Sequence, residues 1–185
     1  MNPIHAFLSA TTGQIEPSGR VTERRLSDMR GYYADPDAEA KRITRDDPLL
    51  YQVFPLDVPE DEGQVLCGAT VIHPGKVGDE YFMTKGHFHE NDLSAEVYYT
   101  LRGKGYLLME THNGKAEHAL MQPGSVCYIP PGRAHRTVNT GDEPLVFFYA
   151  MPGDAGHDYS TIERDGFAEI VVEREGQPVV SRREG

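Results

Sequence analysis

The chain has 185 residues, enough for one domain with its own core, and its 38% apolar and 25% charged residues with 19 Gly and 13 Pro describe a turn-rich globular protein. A formal net charge of −11 opposes nucleic acid and anionic membrane surfaces by long-range repulsion. No apolar run approaches the ~18 residues that span a bilayer.

The start, MNPIHAFLSATTGQ, lacks both the basic residues and the long apolar stretch of a secretory signal, so a cytoplasmic location is the expectation. Between Ile4 and Ser27 scattered apolar residues predict one or two short strands. ADPDAEAKRITRD, Ala34 to Asp46, predicts a helix, with Pro36 near its start, good helix formers after it and Pro48 as its stop. Beyond Pro48 the texture changes to LLYQVFPLDV, QVLCGATVIH, AEVYYTLRGKGYLLME, AEHALM, SVCYIP, HRTVN, LVFFYAM and AEIVVE, divided by Gly, Pro, Asp and Asn clusters. β-Branched and aromatic residues bounded by turn residues predict a series of short strands. The chain therefore reads as all-β, an antiparallel sandwich or barrel in a single domain over 1–185. Residues 1–48 hold N-terminal strands and the short helix, 49–152 the barrel body and 153–185 a C-terminal extension. The final VSRREG reads as a charged end that need not be ordered. Cys67 and Cys127, each in a β-type apolar run, read as reduced core residues.

Chemistry concentrates in TKGHFHENDLSAE, Thr84 to Glu96. Strand alternation sends residues i and i+2 to one face, so His87 and His89 can point at a common centre, and Glu96 and Tyr98 likewise share a face of the next strand. Two imidazoles and a carboxylate, with no thiolate, suit a divalent first-row metal; iron, manganese, nickel and zinc all satisfy that donor set. His135 is a fourth candidate, within Gly124, Pro130, Gly132, His135 and Asn139 at GxxxxxPxGxxHxxxN spacing, where Pro130 and Gly132 can turn the chain inward. His5, His73, His112 and His118 have no partners at ligand spacing and read as surface or structural residues.

These two motifs resemble those of the cupin superfamily. The second fits throughout, whereas the first departs in its loop, with six residues between His89 and Glu96. The resemblance implies a double-stranded β-helix, or jelly roll, with His87, His89, Glu96 and His135 around one metal ion in the barrel mouth. TKGHFH, AEVYY and AGHDY extend the likeness, over about Gly31 to Ile170, to the cupin-type glucose-6-phosphate isomerases. That resemblance implies interconversion of glucose 6-phosphate and fructose 6-phosphate by a homodimer, with Fe(II) as first choice and Mn(II), Ni(II) or Zn(II) as alternatives. It makes Thr70, Thr84 and Gly86 phosphate contacts and places Tyr98, His157 and Tyr159 at the sugar. Ser94 and Met151 stand where the family's pattern carries tyrosines at the substrate pocket.

Glycine at 86 allows a backbone amide to approach an oxyanion, and threonine hydroxyls can donate to phosphate. Strict alternation puts Thr84 and His87 on opposite faces, a conflict that a bulge at Lys85 or Gly86 would resolve. In a chain this acidic, Lys85, Arg133, Arg136 or backbone amides must reverse the field around an anionic substrate. Aldose–ketose isomerisation needs the carbonyl oxygen polarised, which a Lewis-acidic metal supplies, and Glu96 is the leading base, with one oxygen on the metal and one toward substrate. A mononuclear iron dioxygenase and a non-catalytic sugar-binding cupin are the rival readings. The hydroxyl-rich pocket and AGHDY disfavour the first, and the intact ligand set disfavours the second.

Overall fold

A computed structural model describes residues 3–183 as two layers of antiparallel strands. In chain order these are β1 (Phe7–Leu8), β2 (Ile15–Glu16), β3 (Thr22–Arg25), α1 (Pro36–Arg45), β4 (Leu49–Pro55), β5 (Val65–Ile72), β6 (Lys76–Val77) and β7 (Glu80–Tyr81). There follow β8 (Glu96–Arg102), β9 (Gly105–Thr111), β10 (Ala116–Met121), β11 (Val126–Ile129), β12 (Arg133–Asn139), β13 (Leu145–Pro152), α2 (Ser160–Asp165), β14 (Glu169–Arg174) and β15 (Gln177–Arg182). One layer is a six-stranded sheet in the order β11-β8-β13-β5-β4-β3. The other combines β10-β9-β12 with β15-β14-β7-β6, connected by isolated bridges from Met83 to Val138 and from His87 to His135. This is the double-stranded β-helix that the motifs imply.

Period-2 alternation explains why the strands face as they do. Along β8, Glu96, Tyr98 and Thr100 are buried while Val97 and Tyr99 are exposed. β8 and β9 are consecutive yet belong to different layers, and the corner between them carries Gly103 at φ +78. A Cβ there would lie 2.6 Å from Pro144 O and 2.8 Å from the Leu145 Cα, so the crossing closes only on glycine. Leu107, Leu108, Val138, Leu145 and Phe147 fill the space between the layers.

α1 starts where Asp35 accepts from the Asp37 and Ala38 amides and Pro36 sets the first turn. The β1–β2 ribbon lays Leu8 and Ile15 on Phe54, Ala69, Val71 and Val146, covering part of the outer face of the large sheet. Three expectations change. Between Ile4 and Ser27 there are three short strands, β1 to β3, where one or two were expected. α2, six residues with only Ile162 buried, has too short an apolar pattern to be read as a helix. Val180, Ser181 and Arg182 of the tail are paired with β14, and the Arg183 amide donates to Ala168 O at 2.9 Å; Glu184 and Gly185 lie outside the described residues. Both cysteines are free thiols, Cys127 buried and Cys67 half-buried.

Candidate metal centre and substrate cavity

The segment carrying His87 and His89 is not the regular strand that their spacing suggests. It touches β12 at two bridges, and between them 87 − 83 = 4 steps on one side face 138 − 135 = 3 on the other. The extra residue is the bulge required to bring Thr84 and His87 to one face, and Gly86 occupies it at φ +73. On either side the ladder holds: the Thr84 amide donates to Thr137 O (2.9 Å), while His87 and His135 exchange both backbone bonds (3.3 and 3.0 Å).

One imidazole or carboxylate donor atom from each of His87, His89, Glu96 and His135 lies within 4.8 Å of the others. Donors sharing one ion at bond lengths near 2.2 Å are separated by at most about 4.4 Å, so a small contraction suffices. Atom by atom, the set fits a cation. His89 Nδ1 is 3.2 Å from Ser94 O and His135 Nδ1 is 3.3 Å from Arg133 O. Donating those N–H groups to carbonyls leaves both Nε2 lone pairs for a metal. His87 Nε2 is buried with no hydrogen-bond partner among the described residues. His135 Nε2 lies 2.8 Å from Glu96 Oε2 but without hydrogen-bond alignment, as expected of two donors aimed at a third point. His89 Nε2 is 3.3 Å from the same oxygen.

The electrostatics agree. Burial, reinforced by His135, His157 and His89, holds His87 well below the usual imidazole range, so it is neutral. Burial alone would raise Glu96, but His135 and His89 outweigh it and bring the carboxyl to about 2. For His89, burial pulls down while Glu96 pulls up, and the net shift is upward.

The cluster opens on a cavity of about 490 Å³ whose wall includes Thr70, Thr84, Gly86, Tyr98, His157 and Tyr159, each of them expected there. His157 and Tyr159 arrive because Asp158 between them pairs with Phe88 in both directions (3.0 and 2.8 Å), stitching AGHDY to the ligand segment. Their rings lie 4.5 and 5.6 Å from that of His87. Burial lowers His157, keeping it neutral, and raises the Tyr159 phenol. Burial and then the Glu96 charge push Tyr98 well above the ordinary phenol range, so it stays a hydroxyl donor.

Several expectations are corrected. Met151 lines the cavity, but Ser94 does not; it is buried behind His89, supplying the carbonyl to that ring. Of the cations expected to offset the acidic field, Lys85 lines the wall, Arg133 does not, and Arg136 is buried behind the bulge. Arg20 and Arg24 line it instead, β3 placing Arg24 opposite Tyr51. Phe147 and Tyr149 were also missed. With Met151 they form the inward i, i+2, i+4 row of LVFFYAM, a signal legible once that strand is placed next to β8. Among the other histidines, His112 stacks on Phe88 at 3.9 Å and His118 pairs with Glu169 at 3.1 Å. A separate hollow of about 750 Å³, shared only at Lys85, contains none of the four donors.

Comparison with known proteins points one way. The family model described as glucose-6-phosphate isomerase matches residues 23–184. A Thermococcus litoralis protein named glucose-6-phosphate isomerase is 48% identical over 178 residues, covering 96% of this chain and 93% of the relative. The Pyrococcus furiosus protein of that name is 49% identical over 175 residues (95% and 92%). One from Sinorhizobium medicae is 36% identical over 176 residues (95% and 82%).

Proposed function

The chain belongs to the glucose-6-phosphate isomerase family and interconverts glucose 6-phosphate and fructose 6-phosphate, and from that premise we propose how its residues divide the work. The observation that carries the reading is the pair of imidazoles whose Nδ1 atoms are tied to carbonyls and whose Nε2 atoms face Glu96 and His87. His87, His89, Glu96 and His135 hold one divalent ion, Fe(II) for preference and Mn(II), Ni(II) or Zn(II) as alternatives. When bound, the ion supplies Lewis-acid polarisation of the sugar's carbonyl oxygen.

The remaining steps belong to the protein. Thr70, Thr84 and the Gly86 amide bind the phosphate, and Tyr98 and Tyr159 orient the sugar hydroxyls. Glu96 Oε1, which accepts no hydrogen bond from the described residues, takes the proton from C2 and returns it to C1. Neutral His157 carries the hydroxyl proton from O2 to O1, so that the aldose and ketose balance. A carboxylate as weakly basic as Glu96 needs the carbonyl polarised before the C2 proton is acidic enough to move.

The active unit we propose is a homodimer acting in the cytoplasm in glycolysis and gluconeogenesis. The outer face of the large sheet is the surface that supports this. Val97, Tyr99, Val126 and Tyr128 are 37, 42, 69 and 58% exposed and directly paired across β8 and β11. A Tyr128→Glu protein should sediment as a monomer; an unchanged sedimentation coefficient would move the interface elsewhere.

The function is tested by stripping metal with a chelator and reloading with Fe(II) or Mn(II). Glucose 6-phosphate formation from fructose 6-phosphate and oxygen uptake are followed together. Isomerisation should return in proportion to bound metal without oxygen consumption. Full activity of a metal-free protein, or of His87→Ala and His135→Ala together, would overturn the metal assignment.

A further inference from the structure

Arg136 is 1% exposed, yet no carboxylate of the described residues pairs with it in a salt bridge. Alternation along β12 turns His135 and Thr137 toward the barrel and sends Arg136 the other way, behind the Thr84–His87 bulge. Its Nε and Nη2 both donate to Lys85 O, at 3.2 and 2.7 Å, while Nη1 has no hydrogen-bond partner among the described residues. The guanidinium lies between aromatic rings, 4.4 Å from the centre of Phe167 and 5.6 Å from that of Tyr32. A buried cation is unfavourable unless compensated, and the charges of the buried Glu80 and Glu110 carboxyls offset part of that cost without bonding to the guanidinium. What the arginine does by direct contact is grip one carbonyl.

That carbonyl belongs to the Lys85–Gly86 peptide. In a trans peptide the C=O and the following N–H point in opposite directions. With Lys85 O drawn back onto Arg136, the Gly86 N–H is directed forward, and Gly86 forms part of the cavity wall. The Gly86 amide donates to no group among the described residues, although its neighbours at Thr84 and His87 are both in the ladder. A charge-assisted bond at the carbonyl also polarises the peptide and strengthens its N–H as a donor. Gly86 has no room for a side chain in this arrangement, since a Cβ would meet Phe167 at 2.5 Å and the Arg136 Cβ at 3.0 Å.

We propose that Arg136 is a positioning residue for phosphate recognition, fixing from behind the bulge the backbone amide that faces the substrate's phosphate. This rests on the reading that Thr84 and Gly86 hold that phosphate. The arginine does not touch the substrate; its charge acts through one peptide unit.

The test uses metal-loaded enzyme and inorganic phosphate as a competitive inhibitor of fructose 6-phosphate turnover. In Arg136→Met, the Ki for phosphate and the KM for fructose 6-phosphate should rise together by about 10-fold or more, the loss of one hydrogen bond to a charged group. Saturated kcat and metal content should change far less. Arg136→Lys, which keeps the charge and one donor, should recover part of this while remaining about 3-fold or more above the parent. That variant alone decides the matter if Arg136→Met does not fold. Thr84→Val serves as the control. If it raises Ki while Arg136→Lys leaves Ki at the parent value, the positioning role is wrong and the phosphate site stands. If neither variant changes Ki, the phosphate is held elsewhere and both readings fall.

Discussion

At the metal end of the cavity the working groups are side-chain atoms, and their geometry is held by what grips the far side of each ring: Ser94 O on His89 Nδ1 and Arg133 O on His135 Nδ1. In the adjoining stretch proposed for the phosphate the groups are a backbone amide and hydroxyls around a bulge, held by Arg136 and by the ladder on either side. The first region depends on residue identity at four positions. The second depends on a backbone shape that glycine permits and a distant arginine maintains. Substitutions should therefore separate the two regions cleanly, the one through metal content and kcat, the other through KM and phosphate affinity.

The largest effect belongs to the ligands. His135→Ala removes a donor and leaves Glu96 facing fewer partners, so metal content should collapse and kcat fall by about 10³-fold or more, several kcal/mol of transition-state stabilisation. Metal analysis beside the assay checks it, and a variant that keeps a full equivalent of metal would break the contrast. Glu96→Gln refines the same end. It keeps a ligand oxygen but no base, so with metal restored by saturation its kcat should still be depressed by about 10²-fold or more. Near-normal turnover, with deuterium at C2 of glucose 6-phosphate wholly retained at C1, would leave Glu96 a ligand only.

Gly86→Ala should come next, acting on the adjoining stretch. A residue with a Cβ at φ +73, pressed on Phe167, must flatten the bulge or displace the ring. KM for fructose 6-phosphate should rise about 10-fold to 100-fold with metal still bound, following the value of one or two charge-assisted hydrogen bonds. Equal loss of metal would show that the two regions are one rigid unit.

The smallest effect lies in the support behind Phe167. Glu110, buried, accepts from the Ala168 amide at 2.7 Å and so holds the turn that carries Phe167. Burial raises its carboxyl above the ordinary range. A raised folded-state pKa means that the folded protein binds the proton more tightly. The stabilisation is then complete below the unfolded value and lost as pH rises through the folded one. Relative to Glu110→Gln, the parent should lose melting temperature between acid and neutral pH. A difference in Tm independent of pH would contradict the shift.

Much of this architecture was legible before any coordinates. Short runs of β-branched residues between Gly and Pro marked the strands, and Pro36 and Pro48 bracketed the helix, because those signals act over a few residues. The histidine and glutamate spacings marked the candidate donors, and the resemblance of two motifs grouped the four, although the segment carrying His87 and His89 is bulged and not a regular strand. Even the bulge near Gly86 followed from the conflict between two sequence positions that had to share a face.

What sequence could not place was whatever depends on which strands become neighbours. Tyr149 matters because β13 lies beside β8, Arg24 because β3 ends the same sheet, and Ser94 because its carbonyl, not its hydroxyl, meets a ligand ring. Arg136 looked like a cation for the substrate; only the packing of Phe167 and Tyr32 over β12 turns it into a buried clamp on a peptide. Local chemistry determined the donors and the strands, since their signals span a few residues. Long-range pairing decided what stands behind them, since partners as far apart as Lys85 and Arg136 meet only when the Met83–His87 segment pairs with β12.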